Sequence, residues 1–184
     1  MLLKASELQN KKILIFGLNG TGKTYLAKHL SRYFKTFVIT MNSYEWKNEN
    51  VVVGECKLIE DYKFWCDFVV SNYNKLKVNL VILDDFDVFF EHHLETLPSF
   101  QNLVYRNRHM GLSVIAITRR PQNLPAKYWE AFDILVGFTV HSPTTVQKLN
   151  QIYPSLGDMV AKLQIGSYKF VWYDGKNPPK VMKV

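Results

Sequence analysis

The sequence predicts an α/β protein: a mainly parallel sheet flanked by helices, with a β-hairpin at the carboxyl end. Three observations lead there. Short apolar runs such as "TFVIT" and "LSVIAIT" do not alternate, as expected of strands covered on both faces. The segments between them space their apolar residues three and four apart, which describes amphipathic helices. Beyond about residue 152 the pattern changes to alternation around turn residues. Strands separated by helices in this way build a parallel sheet with right-handed crossovers.

The elements follow in order. "KKILIFG" (11–17) is an apolar strand ending in glycine, and "YLAKHLSRYF" (25–34) puts Leu26, Leu30, Tyr33 and Phe34 at helical spacing. "TFVIT" (36–40) is a second buried strand, followed by the polar loop "NSYEWKNEN" and a weak strand "VVV". Tyr62, Trp65, Cys66, Val69, Tyr73 and Leu76 predict an amphipathic helix over 59–76. "NLVILDDF" (79–86) is a strand, and a helix over about 94–109 turns Leu97, Phe100, Leu103 and Val104 inward. "LSVIAIT" (112–118) and "FDILVGF" (132–138) are further buried strands, and "KLQIGSYKFVWYDG" reads as the terminal hairpin, turning at Gly-Ser. No internal repeat or Pro/Gly/Ser linker divides the chain, so 1–184 is expected to be one domain, with a core over about 11–152 and the hairpin extension over about 153–184.

At 184 residues and 47% hydrophobic content the chain is large enough for one substantial core. Twenty-three Lys and Arg against 16 Asp and Glu give a formal charge of +7, which suits a polyanionic partner without requiring one. Cys56 and Cys66 are too few for a disulfide scaffold and lack histidines at metal-ligand spacing, so both are expected to be reduced, small apolar residues. The start "MLLKASELQNKK" carries no signal-peptide apolar stretch, and no segment approaches the roughly 20 apolar residues that span a bilayer. A soluble, intracellular protein is the expectation.

"GLNGTGKT" (17–24) fits G-x-x-x-x-G-K-[ST] at every fixed position and lies between a predicted strand and a predicted helix, the context that confirms this phosphate loop. Gly17, Gly20 and Gly22 let backbone N–H groups turn inward around phosphate oxygens, and the helix starting near Gly22 adds its positive end. Leu18, Asn19, Thr21 and Tyr25 complete the nucleotide-binding stretch. Lys23 is expected to reach the β- and γ-phosphates of ATP, and the Thr24 hydroxyl to ligate Mg²⁺. "LVILDD" then sets Asp84 and Asp85 at the carboxyl end of a buried strand, where open α/β sheets bind ligands. As a Walker B motif, Asp84 holds the Mg²⁺ shell and Asp85 orients or deprotonates the attacking water; as plain sequence, the pair reads as two solvated acids opening a loop.

"RNRHMGLSVIAITRRPQNLP" (106–125) brackets a buried strand with positive charge. That strand should end beside the 80–84 strand, so Arg119 stands where it can sense a γ-phosphate; otherwise Arg119 and Arg120 are solvated loop charges before Pro121. Arg106 and Arg108 close a helix that runs back from the phosphate level, roughly 24 Å at 1.5 Å per residue, and so are too far to serve their own chain's ATP. Two readings stand: an arginine finger acting on a neighbouring subunit's nucleotide, or, with His109, offset of the negative end of the helix dipole. The first demands a head-to-tail oligomer or ring.

In this order, the phosphate loop, "LVILDD" and "YRNRHMGLSVIAITRRPQNLP" resemble the FtsK/HerA superfamily of DNA-pumping ATPases, in particular its viral genome-packaging branch. The resemblance spans about residues 11–152 and is carried most specifically by R-x-R-H-x-G before the strand and Thr-Arg-Arg-Pro after it. It implies a RecA-like P-loop NTPase fold without an added lid, and a homo-oligomeric ring that threads double-stranded DNA. It also implies capsid or virion vertex proteins as partners, and a location in host cytoplasm or with the virion. Where that family commonly has Gln as γ-phosphate sensor, this chain has Arg119. The Zot-like phage assembly proteins share part of the pattern but usually add a membrane segment.

Two other functions fit parts of the sequence. A small-molecule or nucleotide kinase fits the size and the phosphate loop, but the chain shows no inserted Arg-rich lid. An AAA+ helicase-loader-like ATP switch needs a helical lid after the core, where residues 153–184 read as strands with "NPPK". For a DNA motor, Lys47, Arg120 and Lys127 are the candidate loop contacts. His92 and His93, beside Phe89 and Phe90, point in different directions on most backbones and make a poor metal site. Trp46, Trp65, Trp129 and Trp172 are expected in the core or at a subunit interface.

Overall fold

The computed structural model describes residues 5–46, 50–88 and 97–184. Eight strands form one sheet in the order β3-β2-β4-β5-β1-β6-β7-β8. Six of them, β1 (Lys12–Phe16), β2 (Thr36–Thr40), β3 (Val51–Glu55), β4 (Leu80–Leu83), β5 (Ser113–Thr118) and β6 (Ile134–Gly137), are mutually parallel. Strands β7 (Lys169–Tyr173) and β8 (Lys180–Lys183) add to β6 in antiparallel sense as a hairpin.

The unbroken apolar runs follow from covering both faces of this sheet. Successive side chains of a strand point to opposite sides, so Leu14 and Phe16 join one core with Tyr62, Cys66 and Val69 of α3 (Ile59–Leu76) and Phe100, Leu103 and Val104 of α4 (Pro98–Tyr105). Ile13 and Ile15 join the other core with Leu26, Ala27 and Leu30 of α2 (Lys23–Ser31). Both cysteines are buried and free, and burial pushes the Cys56 thiol up to about 12 and Cys66 well above its usual value, so neither is reactive. Among the described residues no helix is long and apolar enough to cross a membrane. Phe89, Phe90, His92 and His93 lie outside the described residues, as does Lys47.

Three boundaries differ from the sequence expectation. The helix expected to reach residue 109 ends at Tyr105. Asn107, buried after it, donates its Nδ2 to the Leu112 and Asn10 carbonyls at 2.8 and 3.1 Å, and Gly111 takes a φ of 67°, so the chain turns immediately into β5. The hairpin turns at 174–179 rather than at Gly166-Ser167, because the Asp174 carboxylate accepts from the backbone N–H groups of Lys176 and Asn177 at 3.0 and 2.8 Å. Residues before the hairpin are helical: α6 (Pro143–Ile152) is capped by the Ser142 hydroxyl with proline in its first turn, and α7 (Leu156–Ala161) packs on it. That packing needs Gly157, where a Cβ would lie 2.1 Å from the Val146 carbonyl oxygen. Among the described residues the remaining α-helices are the short α1 (Ala5–Leu8) and α5 (Ala126–Ala131).

Candidate active site

The elements that carry the phosphate-loop, acidic and Arg119 candidates deliver them to the carboxyl edge of the parallel strands, the end at which such sheets bind ligands. The loop after β1 holds 17–24, Thr40 ends β2, Asp84 and Asp85 follow β4, and Thr118 and Arg119 end β5. Gly17, with φ 142°, sits so close to β6 that a Cβ would meet the Phe138 Cβ at 2.7 Å. Backbone bonds from Phe138 to Phe16 (2.9 Å) and from Leu18 to Thr139 (3.0 Å) strap the loop there. Gly20 and Gly22 also have positive φ, 71° and 107°, and Gly22 caps α2. Three left-handed positions in six residues need glycine, which is the physical content of the motif.

The loop borders a cleft of about 450 Å³ lined by Asn19, Gly20, Gly22, Lys23, Thr24, Tyr25, Asn42, Glu45, Asp84, Asp85, Ile117, Arg119 and Tyr168. Lys23 Nζ donates to the Leu18 carbonyl at 2.8 Å, and the Thr21 hydroxyl donates to the same oxygen at 2.7 Å. Burial lowers the Lys23 amine to about 8, against the opposing pull of Asp85. At pH 7 it is therefore still mostly charged, held in a weakly solvated spot where a phosphate would be a strong partner.

Asp84 is 5% exposed. Its Oδ2 accepts from Trp46 Nε1 at 2.9 Å and from the Thr40 hydroxyl at 3.0 Å. Trp46 is thus a core residue whose indole N–H fixes the carboxylate. Burial pushes the Asp84 carboxyl up to about 6, Asp85 adds to the rise, and the bonds from Trp46 and Thr40 pull it back. A folded value above the unfolded one means that ionised Asp84 costs stability above about pH 6. The cost disappears as pH falls toward the ordinary 3.8. Asp84→Asn is accordingly expected to raise Tm at pH 7.5 in buffer without divalent cations, by the equivalent of roughly 2–3 kcal/mol at about 1.4 kcal/mol per pH unit. Thermal melts of both proteins should converge between pH 6 and 4; a gap that does not change with pH would contradict this origin.

Asp85 occupies the left-handed region at φ 49° and meets Arg119 in a two-pronged ion pair, with Arg119 Nε donating to Oδ1 at 2.9 Å and Nη2 donating to Oδ2. The arginine side chain is 52% exposed. The two residues expected to act on the attacking water and on the γ-phosphate therefore engage each other across the cleft. Beside them, Asp87 is buried, accepts from the Thr118 side chain, and has its carboxyl pushed up by burial. Asp87, Thr40 and Tyr168 were not legible as site residues in the sequence.

Arg106 and Arg108 are at the other end of the strands. Arg108 Nη2 donates to Asp133 Oδ1 at 2.5 Å, and Asp133 Oδ2 accepts from the Lys12 backbone N–H at 2.8 Å, at the start of β1. Arg106 is exposed at the end of α4, and among the described residues its side chain has no hydrogen-bond or ion-pair partner. Neither residue approaches its own chain's cleft, as expected. Of the candidate DNA contacts, Arg120 and Lys127 are exposed.

A glycine-built phosphate loop facing an acidic strand end, on a parallel sheet flanked by helices, defines a P-loop ATPase. The chain belongs to the AAA family, the ATPase family associated with various cellular activities, which matches residues 13–140. Comparison with curated proteins finds no matching sequence. Among solved structures, the fold is similar to the genome packaging NTPase B204 of Sulfolobus turreted icosahedral virus 2 bound to AMPPCP. That match has TM-score 0.79, 18% identity, and covers 95% of this chain and 97% of that one. It is also similar to B204, the DNA-packaging ATPase of Sulfolobus turreted icosahedral virus, with TM-score 0.78 and 19% identity over 96% of this chain and 98% of that one. The cytoplasmic domain of the type VII secretion ATPase EccC of Thermomonospora curvata matches with TM-score 0.69 and 13% identity, over 94% of this chain and 25% of that one. At these identities the likeness is one of fold, and the fold is the RecA-like one that the motif order implied.

Proposed function

We propose that the chain is an ATP-hydrolysing motor that moves double-stranded DNA, and that it packages a viral genome into a preformed capsid as a ring of identical subunits. The observation that carries this reading is the fold match to a genome packaging NTPase over nearly the whole of both chains. The formal charge of +7 supports a polyanionic substrate held through its phosphates.

In this reading Gly17, Leu18, Asn19, Gly20, Thr21 and Gly22 cradle the phosphates with backbone N–H groups, and Tyr25 lies beside them. Lys23 exchanges the Leu18 carbonyl for the β- and γ-phosphates. The donor set fits Mg²⁺: the Thr24 hydroxyl and the Asp84 carboxylate are hard oxygen ligands lining one cleft, and this ion takes one or two such groups plus phosphate oxygens. When bound it would neutralise charge on the phosphates. Arg119 then meets the γ-phosphate, which competes with Asp85 for its guanidinium. An ion pair with a half-exposed arginine is worth on the order of 1 kcal/mol, so a phosphate bearing about two charges wins. Asp85, released, accepts a hydrogen bond from the attacking water. Coupled in this way, the carboxylate is free for catalysis only when a triphosphate is in place. Arg106 completes the site of the adjoining subunit.

The test is steady-state ATPase rate per chain against protein concentration, with and without duplex DNA of unrelated sequences. A rate that rises with concentration and again with any duplex, and whose DNA stimulation fades with added salt, is expected. A rate flat in both variables would refute the motor.

A further inference from the structure

The phosphate loop accounts for one end of the 450 Å³ cleft. Beside the loop the same cleft is lined by two tyrosines, Tyr25 and Tyr168. They are 57% and 48% exposed, with ring centroids 6.4 Å apart and planes inclined at 59°. Two such rings on the surface beside a phosphate site are unusual company for a polyanion, and their placement is not accidental to the fold. Tyr168 comes from the segment between α7 and β7, more than a hundred residues after the loop it faces, and reaches it only because β7 pairs with β6.

Two features hold its ring there. Tyr168 has a φ of 53°, a left-handed conformation that a bulky side chain seldom takes. It is fixed by the Val184 N–H donating to its carbonyl at 3.1 Å and by the turn before it, in which the Ser167 hydroxyl donates to the Gln164 carbonyl at 2.6 Å. Gly22 meanwhile leaves room for the ring: a Cβ there would stand 3.0 Å from Tyr168 Cδ1. The glycine that caps α2 thus serves phosphate approach and ring approach together.

We infer that Tyr168 is the platform on which the base of the bound nucleotide stacks, with Tyr25 as a side wall, and that the base is held by its ring face rather than read along its edge. A base sandwiched between two rings needs them parallel and about 7 Å apart, twice the contact distance of carbon atoms. This pair is closer and tilted, so it forms an open V that receives one face of a base and leaves its edge to solvent. Ring-face stacking tolerates any purine, because every base has a π-face. The site is therefore expected to accept ATP and GTP with similar affinity, and the triphosphate rather than the base defines the substrate class. This inference rests on the assignment of residues 17–24 to the phosphates.

Equilibrium binding of ATP, GTP and inorganic tripolyphosphate to wild type, Tyr168→Ala, Tyr168→Phe and Lys23→Ala tests it. Tyr168→Ala should weaken ATP and GTP about tenfold, leave tripolyphosphate unchanged, and be rescued by Tyr168→Phe. Wild-type affinities for ATP and GTP should agree within about threefold. Equal loss of ATP and tripolyphosphate in Tyr168→Ala would mean that the ring only props the loop against Gly22, and undiminished ATP binding would mean that it touches no base; either overturns the inference. A strong preference for one purine would show edge recognition and overturn it as well. Lys23→Ala reports on the phosphate assignment separately, through tripolyphosphate, which has no base to stack.

Discussion

Asp85→Asn is expected to bind ATP about fivefold more tightly than the wild type while hydrolysing it at least a hundredfold more slowly. Both halves follow from the pair it breaks. Asp85 holds Arg119 through both oxygens, so in the wild type the γ-phosphate must displace a carboxylate to reach the guanidinium. Removing that charge frees the arginine, and regaining on the order of 1 kcal/mol corresponds to about fivefold in affinity. ADP, with no γ-phosphate, should bind the variant and the wild type alike. In the proposed mechanism Asp85 takes the proton or orients the water, so its loss is expected to lower turnover by about 10²–10⁴, the scale of general-base chemistry. Asparagine is the right replacement, because the position has φ 49° and asparagine tolerates the left-handed region where alanine would add strain. Calorimetric binding of ATP and ADP with single-turnover rates checks the result. Retained turnover would remove Asp85 from the chemistry, and equal tightening of ADP would remove Arg119 as the γ-phosphate sensor.

Arg106→Ala is expected to lower kcat by about a thousandfold, the scale of an arginine finger, and to leave ATP affinity within twofold. The sequence leaves Arg106 and Arg108 equivalent, and the structure separates them. Arg108 is engaged with Asp133, which also takes the first N–H of β1, so its guanidinium already has a structural partner. Arg106 stands exposed at the end of α4 with its donors unengaged among the described residues. Arg108→Ala should therefore lower Tm slightly, by the equivalent of up to about 1 kcal/mol for an exposed pair, and keep most of the turnover. Wild-type turnover in Arg106→Ala would leave this arginine with only the dipole of its helix to offset.

What the sequence made legible was whatever local chemistry dictates. Five of the six parallel strands were readable because a strand covered on both faces must be apolar throughout, while the half-exposed edge strand β3 gave only the weak signal "VVV"; residues 17–24 were readable because three left-handed positions before a helix leave little choice of residue. What it concealed was the rest of the strand order and the side-chain pairs that order creates. Trp46 and Thr40 lie 38 and 44 residues from the Asp84 they hold, and Arg119 lies 34 from Asp85. The neighbour β5 was expected beside β4 and pairs with it, but no periodicity reports that β2 flanks its other side. The same holds for Tyr168, which reaches the phosphate loop only through the antiparallel addition of β7. Some local signals were present but weak: Ser142-Pro143 marks the start of α6, and Asp174-Gly175 outcompetes Gly166-Ser167 as the hairpin turn because its carboxylate binds two backbone N–H groups.

The claim on which the motor depends is that one copy's nucleotide is completed by its neighbour's arginine, and mixing two inactive variants tests it most directly. Asp85→Asn subunits keep a working Arg106, and Arg106→Ala subunits keep a working cleft. When equal amounts are combined with duplex DNA, ATP hydrolysis should return to roughly a quarter of the wild-type rate, since about that share of neighbouring pairs in a random ring joins an intact cleft to an intact arginine. Mixtures that stay as inactive as their separate components, although the subunits co-assemble, would contradict it.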